Sequence, residues 1–152
     1  MIKVMFVCHG NICRSTMAEF LLRDTVEKMG IGDKFFIASS ATSREEIGNG
    51  VHYGTRRVLD RFGIDYSKKR AVQLTREDAG RYDYFIGMDD ANIRNMVRIL
   101  GDSTKVYKFL EFACETDDIA DPWYTGDFEE TYRDVMKGCR GFLEKLKGEG
   151  KI

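Results

Sequence analysis

The sequence predicts one α/β domain over residues 1–152, built on an open, twisted, mainly parallel sheet of four strands with helices on both faces. Three observations lead there. Short apolar runs alternate with stretches of helical periodicity, and strands joined through helices pair in parallel by crossover connections. The first run, Ile2-Lys3-Val4-Met5-Phe6-Val7, is almost continuously apolar, as a strand covered on both faces requires. The 152 residues, with no linker, repeat or low-complexity tract, also match the size of one domain, commonly about 100–150 residues.

Taken in order, Ile2–Val7 reads as the first, buried strand. A turn containing Gly10 and Asn11 follows. Ser15 and Thr16 then open a helix with Met17, Phe20, Leu21 and Met29 on its apolar stripe. Phe35–Ala38 is the second strand. Val51–Phe62 carries a helix that turns Val58, Leu59 and Phe62 inward and closes at Gly63. Thr75-Arg76-Glu77-Asp78 has the form of a capping box, so a short helix starts there. Tyr84–Met88 is the third strand. Ile93, Met96, Val97 and Leu100 recur at helical spacing before Gly101. Val106–Leu110 is the fourth strand. A long final helix turns Phe128, Tyr132, Val135, Met136, Cys139, Phe142, Leu143 and Leu146 inward.

Composition excludes several classes. Hydrophobic residues make up 43% and charged residues 32%, a packed-domain balance rather than that of a disordered chain. No apolar run approaches the ~20 residues that cross a bilayer, and the opening stretch is too short for a signal-peptide core. A cytoplasmic chain without membrane association is the expectation. The net charge of -1 shows no basic excess of the kind that binds nucleic acid. The cysteines are Cys8, Cys13, Cys114 and Cys139. They offer no paired zinc spacing, and His9 beside Cys8 finds no second pair. Cys114 and Cys139 read as small buried apolar residues.

In open α/β sheets the ligand site lies beyond the carboxyl ends of the strands. The segment after the first strand is Cys8-His9-Gly10-Asn11-Ile12-Cys13-Arg14-Ser15. It contains Cys-x5-Arg, leaves a strand end and runs into a helix start. Free backbone N–H groups and the positive end of the helix dipole attract anions there. A loop wrapped over that terminus turns its N–H groups inward as an anion nest. Gly10 allows close backbone approach, and Asn11 tolerates left-handed φ. Arg14 presents a planar fork for two phosphate oxygens. Cys8 lies at the bottom, where dipole, N–H groups and guanidinium all favour a thiolate. A thiolate facing bound phosphate suits in-line attack on phosphorus. Ser15 is placed to hydrogen-bond that sulfur, and also reads as a plain N-cap. His9 lines or braces the pocket rather than acting as a base.

These residues carry a resemblance. Val7-Cys8-x-Gly10-Asn11-Ile12-Cys13-Arg14-Ser15, followed by Met17-Ala18-Glu19, is similar to the signature of the low-molecular-weight protein tyrosine phosphatases. The similarity continues in Ser39-x-Ala41-Thr42-Ser43, Glu46-Ile47-Gly48-Asn49, Phe62-Gly63-Ile64, Tyr82-Asp83-Tyr84, Met88-Asp89 and Asp121-Pro122-Trp123-Tyr124, nearly the whole chain. It implies hydrolysis of phosphotyrosine in proteins, and of aryl phosphates, through a phosphocysteine on Cys8. His9 to Ser15 would form the phosphate-binding loop, with Arg14 as its clamp. Asp121 would protonate the leaving phenolate and then activate water; from the residues alone, Asp-Pro is only a turn. Asn11, Ser15 and Ser39 would brace the loop. Ile12, Glu45, Trp123 and Tyr124 would line the substrate cleft, the two aromatics as a wall for a phenyl ring. In the resembled family a cysteine at the place of Cys13 traps oxidised Cys8 as a disulfide. No metal or other cofactor is expected, because nest and Arg14 supply the positive charge. The implied partners are a phosphotyrosine-containing protein or peptide, with phosphate and other oxyanions as inhibitors. The chain would be a monomer or at most a weak dimer.

Departures and alternatives accompany this reading. Glu45 stands where many relatives carry Tyr or Trp, which should weaken stacking and repel acidic peptides. Lys69 falls near a position usually held by a histidine of the loop-bracing network, and Val72 replaces a common polar residue. Thiol-dependent arsenate reductases of the same fold need further cysteines midway, and Asp78–Gly101 holds none. Protein arginine phosphatases carry Thr where Ile12 stands. A non-catalytic phosphate-binding module would lack Cys8, Arg14 or Asp121, and all three are present.

Overall fold

The apolar opening run forms β1 (Ile2–Cys8), and its alternation organises the molecule. In the computed structural model, which describes residues Met1–Ile152, Val4, Phe6 and Cys8 face one layer while Met5 and Val7 face the other. After β1 come α1 (Arg14–Lys28), β2 (Phe35–Ala41), α2 (Tyr53–Asp60), β3 (Tyr84–Gly87), α3 (Asp90–Leu100) and β4 (Val106–Lys108). A single turn, α4 (Pro122–Thr125), and the long α5 (Phe128–Gly148) complete the chain. All strand pairs are parallel, in the order β2-β1-β3-β4. The chain therefore steps from β1 to one flank and returns to β3 on the other. The crevice where an α/β sheet takes its ligand opens at that reversal, beyond the ends of β1 and β3.

Helices α1, α2 and α5 cover one face through Met17, Leu22, Leu59, Val135, Phe142 and Leu146, packed with Val4 and Phe6. Helix α3 covers the other with Met96 and Leu100 against Met5, Val7 and Phe85. Each such fully buried side chain contributes roughly 1.5–3 kcal/mol relative to exposure. The Thr75/Asp78 capping box forms as the sequence predicts, opening a 3₁₀ turn over Arg76–Gly80. Gly101 ends α3 with φ 92°. A second 3₁₀ turn, Phe109–Ala113, lies directly under α5. A Cβ on Gly138 would meet the Phe109 ring at 2.6 Å, and one on Gly141 would run into the Phe112 carbonyl.

Several expectations need correction: the second strand runs on to Ala41 and the third ends at Gly87. The fourth strand stops at Lys108 rather than Leu110. Phe109 and Leu110 are buried, but in the 3₁₀ turn, where Phe109 packs against Phe6 at 5.1 Å and into the space left by Gly138. The helix placed over Val51–Phe62 spans only Tyr53–Asp60, because His52 caps it with its ring. Met29 is exposed; Lys28 ends α1 and Gly30, at φ 76°, turns the chain away. Cys114 is exposed, since it closes the Phe109–Ala113 turn in a left-handed conformation, whereas Cys139 is buried as expected.

Candidate active site

A buried amide, Asn11, braces the loop after β1 from within. Asn11 has φ 59° and is 1% exposed. Its Oδ1 accepts from the Val72 N–H (3.2 Å), which fixes the orientation of the amide. Its Nδ2 then donates to Ser15 Oγ (2.8 Å) and Ser39 Oγ (2.9 Å). An amide NH₂ only donates and a carboxylate only accepts. The Ser39 hydroxyl therefore gives its proton to Glu19 Oε1 (2.5 Å). Ser15 Oγ lies 3.0 Å from Cys8 Sγ, where it accepts from the thiol and, once Cys8 is a thiolate, donates its own proton to the sulfur. The Asn11 N–H also points at that sulfur (3.3 Å). A Cys8 thiolate thus meets hydrogen-bond donors from two sides. Ser15 is no N-cap: it lies inside α1, and the cap position belongs to Cys13, whose side chain does no capping.

Behind the network lies a partly buried ion cluster. Glu19 Oε2 accepts from Arg23 (2.6 Å), and Lys69 Nζ lies 3.6 Å from Glu19 Oε1 while donating to the Ser39 carbonyl (2.9 Å). Lys69 thus ties into the loop support. Burial pushes its pKa down, with Glu19 opposing.

Arg14 is 2% exposed. Its Nη1 donates to Asp89 Oδ2 (2.8 Å) and the Ile119 carbonyl (2.8 Å), and Nη2 lies 3.4 Å from Asp121 Oδ2. Burial works against its charge, but Cys8, Asp89 and Asp121 outweigh that and raise its pKa. Asp89 is the N-cap of α3, accepting from the Asn92 N–H at 2.7 Å. Asp121 is the N-cap of α4, its Oδ1 accepting from the Trp123 N–H at 3.0 Å, with Pro122 at the first helical position. The segment leading to Asp121 is pinned by Lys108, which reaches Asp118 (2.7 Å), Asp90 (3.0 Å) and the Thr116 carbonyl (2.6 Å). Burial lowers the Lys108 pKa, and the two carboxylates more than reverse that.

These pieces enclose a pocket of about 110 Å³ lined by Cys8, His9, Gly10, Ile12, Cys13, Arg14, Glu45, Glu46, Asp121, Trp123 and Tyr124. Asn11, Ser15 and Ser39 are buried beneath it. Trp123 and Tyr124 are 57% and 83% exposed and stand as its outer wall. At the rim Glu45 Oε2 meets His9 Nε2 at 2.9 Å. Cys13 is buried; burial first, then charge on Cys8, raises its pKa and keeps it a thiol. Its carbonyl accepts from the Thr16 and Thr55 hydroxyls (3.0 and 3.1 Å). No three His, Cys, Asp or Glu side chains group as metal ligands would, and no helix is long and apolar enough to cross a membrane.

Residues 3–152 match the family described as low molecular weight phosphotyrosine protein phosphatase. The chain belongs to that family. Low molecular weight protein-tyrosine-phosphatase YfkJ of Bacillus subtilis (strain 168) is 36% identical over 156 residues, covering 100% of both chains. The Homo sapiens low molecular weight phosphotyrosine protein phosphatase is 38% identical over 150 residues, 94% of each. The crystal structure of YfkJ aligns with TM-score 0.92 at 38% identity, covering 98% of this chain and 96% of that one. SP-PTP, a low molecular weight protein tyrosine phosphatase from Streptococcus pyogenes, aligns with TM-score 0.85 at 44% identity, covering 96% and 93%.

In this phosphatase-family chain, sequence reasoning assigned no part to Glu19 and Asp89, although both stood in the quoted motifs. A charged residue inside an apolar helix stripe marks Glu19. An Asp directly after the third strand, at the topological reversal, marks Asp89.

Proposed function

We propose that this protein hydrolyses phosphotyrosine in proteins and peptides, and aryl phosphates, through a phosphocysteine on Cys8, with residues 1–152 acting as one domain. The observation that carries this is the convergence of Cys8, the loop N–H groups, Arg14 and Asp121 on one small pocket. In the first step the Cys8 thiolate forms a bond to phosphorus as the P–O bond to the phenol breaks. Arg14 and the loop from His9 to Ser15 hold the phosphoryl oxygens, and Asp121 gives the departing oxygen its proton. In the second, water attacks the phosphocysteine, Asp121 takes the water's proton, and the P–S bond breaks to return the thiolate, which the Ser15 hydroxyl stabilises as a leaving group. Asn11, Ser15 and Ser39 hold the loop in shape. Ile12, Trp123 and Tyr124 supply apolar surface for the phenyl ring, and Glu45 sets the charge at the rim.

The protein acts in the cytoplasm as a monomer, or at most a weak dimer, and phosphate and other oxyanions compete for its loop. Cys8 and Cys13 form a redox pair in which Cys13 traps oxidised Cys8. The deciding experiment is hydrolysis of p-nitrophenyl phosphate in EDTA. Wild type is active and Cys8→Ser is folded and inactive. Wild type without activity at mildly acidic or neutral pH overturns the proposal.

A further inference from the structure

One of the two histidines stands outside the phosphate pocket and has no part in the chemistry above. His52 precedes α2, and its Nδ1 accepts from the Gly54 N–H at 3.0 Å, so the ring is the N-cap of that helix. This fixes the ring's orientation. One face stacks on Phe128 (centroids 5.1 Å, 15°), Tyr53 stacks at 4.7 Å, and Trp123 meets the ring edge-on at 5.6 Å and 75°. Phe128 reaches this place only because residue 54 is glycine: a Cβ there would come within 2.5 Å of the Phe128 ring. The same helix start holds the phosphate loop from behind, with the His52 N–H on the Ile12 carbonyl (2.9 Å) and the Thr55 hydroxyl on the Cys13 carbonyl (3.1 Å).

Trp123 needs such support. It lies in α4, a single turn that ends at Gly126, and its indole is more than half exposed. One turn of helix does not hold itself together in water. The ring of His52 is the aromatic neighbour of Trp123. The Trp123 backbone N–H donates to Asp121 Oδ1 as the N-cap bond of the same turn, so a shift of the α4 turn that carries the indole shifts that carboxylate.

We infer that His52 is a positioning residue: its capped ring holds Trp123, and through Trp123 aims the Asp121 carboxylate at the leaving-group oxygen. This rests on the phosphatase reading with Asp121 as proton donor. A misaimed acid penalises poor leaving groups most, since they depend most on the proton.

Two variants separate the ring from the cap. His52→Asn keeps an oxygen to accept from the Gly54 N–H and loses the ring. His52→Phe keeps a ring and loses the cap. The assay is kcat/KM for phenyl phosphate and for p-nitrophenyl phosphate, with the Tm of each variant. His52→Asn should lose about tenfold on phenyl phosphate and clearly less on p-nitrophenyl phosphate, with Tm close to wild type. His52→Phe should lower Tm and change the ratio between the two esters less than His52→Asn does, because its ring still stacks on Phe128 although the cap is gone. An unchanged ratio in His52→Asn, or the same change of ratio in both variants, overturns the inference, the second because the cap alone then accounts for it. Wild type inactive on both esters overturns the phosphatase reading instead, which keeps the two failures distinct.

Discussion

Replacing Asn11 by Ala removes three hydrogen bonds at once, those to Ser15, Ser39 and the Val72 N–H. Each contributes about 0.5–1.5 kcal/mol net, so about 3 kcal/mol is lost. Ala also tolerates the φ of 59° less well than Asn, which adds about 1 kcal/mol. The expected destabilisation is about 4 kcal/mol, within the ~5–15 kcal/mol of a typical domain, so the variant folds. Asn11→Gly loses the same three bonds without the backbone strain and should recover about 1 kcal/mol of that. Urea unfolding followed by far-UV circular dichroism measures both: with a slope of about 2 kcal/mol per molar, the Ala variant's midpoint falls by about 2 M and the Gly variant's by about 1.5 M. Turnover falls in both, because Ser15 loses the bond that directs its proton to Cys8. An Ala variant within about 0.5 kcal/mol of wild type, or a Gly variant no more stable than it, refutes the account of this network.

Asp121→Asn should cost about 10²–10⁴ in kcat/KM for phenyl phosphate and much less for p-nitrophenyl phosphate; equal losses would remove Asp121 from the acid role. Burial and then Arg56 push the His52 pKa down, so the unfolded chain binds that proton more readily. Stability attributable to His52 should fall as pH drops below about 6.5 and level off below the folded value, so Tm measured across this range declines less in His52→Asn than in wild type. Peroxide should convert Cys8 to a sulfenic acid, and attack by Cys13 should give the Cys8–Cys13 disulfide and water. Oxidation also removes the Cys8 charge that helps hold Cys13 as a thiol. A dithiol then restores wild type but not Cys13→Ser; full recovery of that variant leaves Cys13 a packing residue. Glu45→Gln should shift the basic-to-acidic phosphopeptide preference about twofold, a salt-sensitive effect because both Glu45 and its partner His9 are exposed.

What was legible in the sequence was what is local in the chain. A strand end, Cys-x5-Arg and a helix start lie within eight residues, and residue types alone identify an anion nest there. Asp121 is 107 residues from Arg14 and Asp89 is 75, and each looks like any other capping Asp until the sheet brings it to the guanidinium. Only the family resemblance pointed to Asp121. The Glu19–Lys69 pair joins α1 to a loop with no pattern of its own, so Lys69 reads as a departure in the sequence and as support in the fold. Phe109 and Leu110 look like strand because apolar runs carry no record of where an edge strand stops pairing. Cys114 was misread because burial was inferred from residue type, while a left-handed backbone turns it outward.

The close seating of α5 on the Phe109–Ala113 turn makes the helix depend on its platform. Gly138 and Gly141 sit mid-helix, and each weakens an isolated helix by about 1 kcal/mol relative to Ala. The C-terminal half of α5 therefore gains little from its own propensity and is stabilised chiefly by its docking platform. That platform follows β4, which pairs only with β3, which in turn pairs with β1. The seat of α5 thus exists only where β4 is joined to the sheet, and α5 acts as the clasp over that end of it.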